Sequence, residues 1–188
     1  MDDKFRNHIE SIISLTDEEY VIVSSYFKTK SFKKHQFMVT VGEPAFYNYY
    51  LVSGLTKLVY TDASAKEHII AFAMEDWWEC DYQAYFSQIE ATLSLECLED
   101  TEVLCITLSN YHELCNALPK MERFFLEKLK GGFLASQGRI LSLLKTGVQE
   151  RYEQLINEQS DLLQRVSKTQ IAAYLGVSRE ALSRLSPK

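Results

Sequence analysis

The sequence predicts an α+β chain: an antiparallel β-roll of the jelly-roll kind, then one long helix, then a C-terminal helix-turn-helix. Three observations predict it. Short runs of alternating apolar residues separated by turn residues fill the stretch from Phe37 to Leu108. After Pro119 the apolar period switches to that of a helix and holds over a long stretch. The closing segment KTQIAAYLGVSREALSRLSPK, from Lys168, carries two helical apolar stripes with a glycine between them.

Taken in order, Phe5, Ile9, Ile12 and Ile13 predict a short first helix. Thr16, followed by Asp17, Glu18 and Glu19, is an N-cap with an acidic first turn, so a second helix is expected to run to about Phe27. Phe37, Val39 and Val41 then alternate, and Gly42-Glu43-Pro44 turns the chain. Tyr47 to Val52 and Leu55 to Tyr60 read as strands around a Ser53-Gly54 turn. His68 to Met74 and Thr101 to Leu108 add two more. Beyond Pro119, Leu126, Leu129, Phe133, Ile140 and Leu144 recur in steps of three, four and seven, and Phe125, Leu134 and Leu141 widen the stripe. That is too much apolar surface for a lone surface helix, so this one is either buried in its own core or paired with a twin. Gly131-Gly132 inside it costs about 1 kcal/mol each in helix propensity, which suits a close helix–helix approach or a kink. Gly147 ends the helix and Glu150 to Ile156 starts another.

In the closing segment, Ile171, Ala172 and Leu175 form one apolar face and Gly176 stops the helix. Val177 is a small apolar plug, Ser178 is an N-cap, and Ala181, Leu182 and Leu185 make the second stripe. The spacing alone also suits an αα-hairpin at the edge of a core. The polar face of the second helix points instead to the major groove of DNA. Arg is the commonest partner of guanine, Glu accepts from cytosine, and Ser suits bases or phosphates. That face offers Ser178, Arg179, Glu180, Ser183 and Arg184, with Arg165 and Lys168 placed before the motif to meet phosphates. The domains implied are residues 1–118 (roll with N-terminal helices), 119–147 (long helix) and 148–188 (helix-turn-helix).

The charge distribution agrees. The formal net charge of −6 conceals 8 basic against 19 acidic residues up to position 118, and 12 against 7 after it. An acidic body with a basic tail is a plausible electrostatic footprint for DNA, and repulsion from the body suppresses non-specific contact. No apolar run is long enough to span a bilayer and the start, MDDKFRNHIE, is not signal-like, so a cytoplasmic location and no membrane partner are expected. Cys80, Cys97, Cys105 and Cys115 fit no zinc or cluster spacing and read as reduced small hydrophobes. His8, His35, His68 and His112 lie too far apart for the His-x-His metal site of a cupin-like enzyme, the rival β-barrel reading. No phosphate loop or nucleophile elbow is present. The chain is therefore expected to be no enzyme, with no metal and no cofactor.

The order of helices, roll, long helix and helix-turn-helix resembles the Crp/Fnr family of bacterial transcription regulators. The most specific parts are SREALSR, Ser178 to Arg184, the preceding YLGVS, and YLVSGLTKLVY, Tyr50 to Tyr60. The resemblance implies a cyclic-nucleotide-binding-like sensor roll and a homodimer paired along Leu126, Leu129, Phe133, Ile140 and Leu144. It further implies a double-stranded DNA operator read by Arg179, Glu180 and Arg184, RNA polymerase as a partner, and a small-molecule effector. Cyclic-nucleotide binders of this fold carry a Gly-Glu pair and then an Arg, and the stretch from Glu75 to Cys97 has no Gly and no Arg. The effector is therefore expected not to be a cyclic nucleotide. The N-terminal cysteine cluster of the family's iron–sulfur sensors is also missing. The aromatic density from Phe46 to Phe86 suits either an effector pocket formed by Tyr50, Phe72, Trp77, Trp78 and Tyr82 or an ordinary roll core. The family continues past the recognition helix where this sequence reaches Ser186-Pro187-Lys188, so a C-terminal extension is expected to be lacking and DNA affinity to be weak. A sensor or assembly module without useful DNA binding is the second non-enzyme alternative.

Overall fold

Residues 3–185 are described by the computed structural model, and the expectations resting on Ser186-Pro187-Lys188 lie outside them. Helix α1 (Asp3–Glu10) buries Phe5 and Ile9, four residues apart on one face. Helix α2 (Asp17–Ser25) opens on a complete capping box: Thr16 Oγ1 accepts from the Glu19 amide, and the Glu19 carboxylate accepts from the Thr16 amide at 2.8 Å.

Eight strands follow: β1 (Lys28–Phe32), β2 (Phe37–Val39), β3 (Tyr47–Ser53), β4 (Thr56–Thr61), β5 (Glu67–Ala73), β6 (Trp78–Glu79), β7 (Ser94–Cys97) and β8 (Thr101–Thr107). They form two four-stranded sheets, in the orders β1-β8-β3-β6 and β2-β7-β4-β5. This is the expected jelly-roll. Strand β8 pairs antiparallel with β1 on one side and β3 on the other, so Cys105 stands opposite both Lys28 and Tyr49. The turn between β3 and β4 needs glycine: Gly54 has φ of +102°, and a Cβ there would lie 2.5 Å from Thr101 Oγ1 and 2.8 Å from the Asp100 carbonyl oxygen. Its amide donates to Glu75 at 2.9 Å.

Between β6 and β7 lies helix α3 (Tyr82–Ser87), and after β8 comes α4 (Leu108–Ala117), capped by Thr107. The outer face of the first sheet packs on these helices and on α1 and α2. The resulting core includes Phe5, Ile9, Val23, Tyr50, Leu104, Ile106, Leu114 and Phe124. Helix α5 (Lys120–Lys145) runs unbroken for 26 residues through Gly131-Gly132. A Cβ at either glycine would meet nothing within 4 Å, so neither is required by close packing within this chain. Then follow α6 (Val148–Glu158), α7 (Ser160–Arg165), α8 (Lys168–Leu175) and α9 (Arg179–Ser183).

The chain divides into two compact units, Met1–Leu58 with Phe72–Lys130, and Val59–Ala71 with Gly131–Lys188. The four cysteines are buried and free. Among the described residues no helix is long and apolar enough to cross a membrane, and no three His, Cys, Asp or Glu residues are grouped to hold a metal ion.

Candidate functional site

In the second unit, α8 starts on a capping box of Ser167 and Gln170 and ends on Gly176 at φ of +75°, the left-handed position expected of a helix stop. Its inner face buries Ile171, Ala172 and Leu175. Ser178 caps α9 by accepting from the Ala181 amide at 3.1 Å, and Leu182 is buried. The opposite face carries Ser178, Arg179, Glu180, Ser183 and Arg184, all exposed. The Glu180 carboxyl is held below its ordinary value by hydrogen bonds at the start of the helix, from its own amide and from Ser178, with Arg179 and Arg184 adding attraction. Lys168 is exposed and Arg165 is half-buried.

Two arginines absent from the sequence-based expectation fasten the end of α8. Arg151 donates to the carbonyls of Thr146 at 2.6 Å and Leu175 at 3.1 Å. Arg139 lies 3.7 Å over the Tyr174 ring and donates to the Tyr174 carbonyl. Cations at a helix C-terminus satisfy carbonyls that have no partner within the helix. A lone Arg in a helical pattern reads as a solvated residue, so only the fold reveals this clamp.

Along α5 only Met121, Phe124 and Phe125 are buried. Leu126 is 64% exposed, Phe133 62%, Ile140 55% and Leu144 77%, while Leu129 is partly covered. Leu134, Leu141 and Leu143 are exposed as well.

In the first unit, the residues expected around an effector are dispersed. Tyr50 is buried in the helix-facing core and donates to Asp76 at 2.5 Å. Phe72 is buried on β5, and Trp77 is 44% exposed. Trp78, the first residue of β6, is partly buried and packed against the helix-facing core. There its ring lies tilted to Tyr50 and edge-on to Phe124 and Phe125, and its indole N–H donates to His8 Nε2 at 3.1 Å. Trp78 and Tyr82 do line a cleft, together with Phe86 of α3, Tyr111 of α4, and Phe125, Lys128 and Leu129 of α5, and Asn48 of β3 lines it too.

The segment from β6 to β7 is organised from within. Asp81 is 1% exposed; one carboxylate oxygen accepts from the Ala84 amide at 3.1 Å. The other accepts from the amides of Thr92 at 2.9 Å and Leu93 at 3.1 Å and from the Thr92 hydroxyl at 3.3 Å. Burial raises the neighbouring Glu79 carboxyl to about 8, against the single opposing hydrogen bond from the Cys80 amide. Lys57, buried on β4, pairs with Glu96 at 3.0 Å.

Residues 29–117 match the cyclic nucleotide-binding domain family. Crp/Fnr-type regulators are among the solved structures that the chain resembles. FixK2 from Bradyrhizobium japonicum is 20% identical over 85% of this chain and 82% of its own, with a TM-score of 0.74. The c-di-GMP responsive global regulator CLP of Xanthomonas campestris is 16% identical over 90% and 89%, also at 0.74. The catabolite activator protein of Thermus thermophilus is 23% identical over 92% and 83%, at 0.58. At these identities the likeness is one of fold. No curated protein matches by sequence.

Proposed function

We propose that the chain is a cytoplasmic, sequence-specific DNA-binding transcription regulator of the Crp/Fnr type and not an enzyme. In this proposal residues 1–118 form the sensor domain, residues 119–147 the dimerisation helix, and α8 and α9 the helix-turn-helix of the DNA-binding domain. The observation that carries it is α9: Leu182 is buried while Arg179, Glu180 and the C-cap residue Arg184 are exposed. The exposed stripe Leu126, Phe133, Ile140 and Leu144 supports pairing with a second copy, because a single chain leaves it in water. Two recognition helices would then meet a palindromic operator at half-sites about 34–36 Å apart.

The effector of this reading is not a cyclic nucleotide. A buried phosphate needs a cation or a nest of amides. In the stretch from Glu75 to Cys97 the amides of Thr92 and Leu93 already serve Asp81, and Lys57 of β4 is paired with Glu96. Activation would be a shift between two dimer arrangements that changes the spacing of the recognition helices.

The test is the salt dependence of binding to a matched two-half-site probe. Arg165→Ala and Lys168→Ala should each lower affinity on all sequences alike and flatten the salt dependence by about one charge. Arg179→Ala should instead alter sequence preference. Equal losses from all three on every sequence would contradict base reading by α9.

A further inference from the structure

Arg139 and Arg151 do more than close the end of α8: between them they join it to the end of α5. Arg139 stands on α5 itself, and its guanidinium lies 3.7 Å over the Tyr174 ring and donates to the Tyr174 carbonyl. Arg151, near the start of α6, donates to the carbonyl of Thr146, the residue after α5, at 2.6 Å, and to that of Leu175, the last residue of α8, at 3.1 Å. Every one of these residues lies in the second unit.

Three features set the arrangement apart from two solvated arginines. The acceptors are backbone carbonyls, so the contacts hold the helix ends themselves and not a side chain that can turn. No carboxylate among the described residues pairs with either guanidinium. Burial first, then the charge of Arg151, hold Arg139 below its ordinary value while Tyr174 pulls the other way. Like charges brought together without a counter-ion repel, and the partial negative charge of the carbonyls that end α8 offsets this. Finally, Arg151 Nε is buried with no hydrogen-bond partner among the described residues. A buried donor left unpaired costs about 1–3 kcal/mol, so the guanidinium is turned to suit the two carbonyls and not its own Nε.

The connection carries on to α9. Only Gly176, Val177 and Ser178 separate α8 from α9. The Gly176 and Val177 amides both donate to the Ala172 carbonyl, and Ser178 caps α9. Wherever the end of α8 is held, α9 is aimed with it.

We propose that Arg139 and Arg151 are positioning residues that lock the α8–α9 pair to the end of α5, so that the direction of Arg179, Glu180 and Arg184 follows the long helix. In a dimer, the spacing of the two recognition helices would then be set through these two side chains. That consequence rests on the DNA-binding reading; the lock itself does not.

Pulsed electron spin resonance on the full chain tests the lock without DNA. Nitroxides are attached through Ala135→Cys on α5 and Ser183→Cys on α9, both positions being exposed and the native cysteines buried. Labelled chain is diluted with unlabelled chain so that distances within one chain dominate. The parent should give one narrow distance. Arg139→Met with Arg151→Met keeps most of each apolar stem and removes the donors. This double variant should broaden the distribution about twofold, as a freed hinge does, with helix content by circular dichroism unchanged. Arg139→Lys keeps a cation for the ring and the carbonyl and should restore the parent width relative to Arg139→Met. An unchanged width in the double variant would overturn the lock, and so would broadening in Arg139→Lys as large as in Arg139→Met. If the double variant loses helix content, Arg139→Met alone decides by the same widths. Two-half-site DNA then tests the consequence. A spacer longer by about two base pairs rotates one half-site by about 70°; it should weaken the parent by at least about tenfold and the double variant by less than about threefold, with base preference within each half-site kept. Equal losses in both chains would overturn the positioning role. A parent that prefers no sequence would instead overturn the DNA-binding reading, and the resonance widths would still decide on the lock.

Discussion

Replacing Asp81 with Asn should destabilise the first unit by about 2–4 kcal/mol, and the size follows from counting donors. The carboxylate accepts four hydrogen bonds, one on the oxygen facing Ala84 and three on the oxygen facing Thr92 and Leu93. Asn has only one carbonyl oxygen. Turned toward Thr92 and Leu93, it leaves the Ala84 amide facing an NH₂ group and removes the cap of α3. One orphaned buried amide costs about 1–3 kcal/mol, and loss of charge assistance on the remaining bonds adds roughly 1 kcal/mol. The assay is urea unfolding of the full chain followed by tryptophan fluorescence, because Trp77 and Trp78 both lie in this unit. The midpoint should fall while the slope is unchanged, since the surface exposed on unfolding is the same. A loss below about 0.5 kcal/mol would refute the view that an internal carboxylate organises the β6–β7 segment.

Three further outcomes are expected. Leu129→Glu with Phe133→Glu should give a monomer or an insoluble chain in sedimentation, because the pair places charge on the exposed stripe of α5; a double variant that still sediments as a dimer would rule out that interface. Stability should fall as pH drops through 6.5 toward 4. Desolvation, with Lys128 adding repulsion against a smaller pull from Asp76, lowers the half-buried His8 to about 4, so its neutral form stabilises the fold above 6.5. The interval sets a ceiling of about 3 kcal/mol, which solvent screening reduces to about 1–2 kcal/mol. His8→Gln should flatten this part of the pH profile relative to the parent, and an unchanged profile would contradict it. Cyclic AMP and cyclic GMP should give flat calorimetric traces at tens of micromolar protein; micromolar binding of either would show that Asp81 yields its donors to a phosphate.

Much of the fold is legible because its sequence patterns are local. Thr16 and Glu19, and Gly176 with Ser178, are cap chemistry that neighbours along the chain complete, and they set helix ends as expected; the Ser167–Gln170 box at the start of α8 is of the same local kind. Strands β3, β4, β5 and β8 show as apolar runs between turns. Strand β1 does not: Lys28–Phe32 is KTKSF, a strand at the edge of its sheet whose pairing with β8 supplies what its composition does not. Strand β6 has two residues, β7 four and α3 six, too short for any period, and α4 follows β8 at once, so the expected strand runs into its first residue. The cleft is hidden for another reason. Asn48 sits among tyrosines on β3 and Lys128 among alternating charges on α5, and only the fold brings them to one opening.

Selection from random double-stranded DNA, with the wild-type chain, tests the central claim most directly. The account predicts enrichment of a palindrome with two half-sites about one helical turn apart. It further predicts that Arg179→Ala, Glu180→Ala and Arg184→Ala each relax preference at a single position, by about 1–3 kcal/mol. A wild-type chain that enriches no sequence, or three variants that enrich the wild-type sequence unchanged, would contradict it.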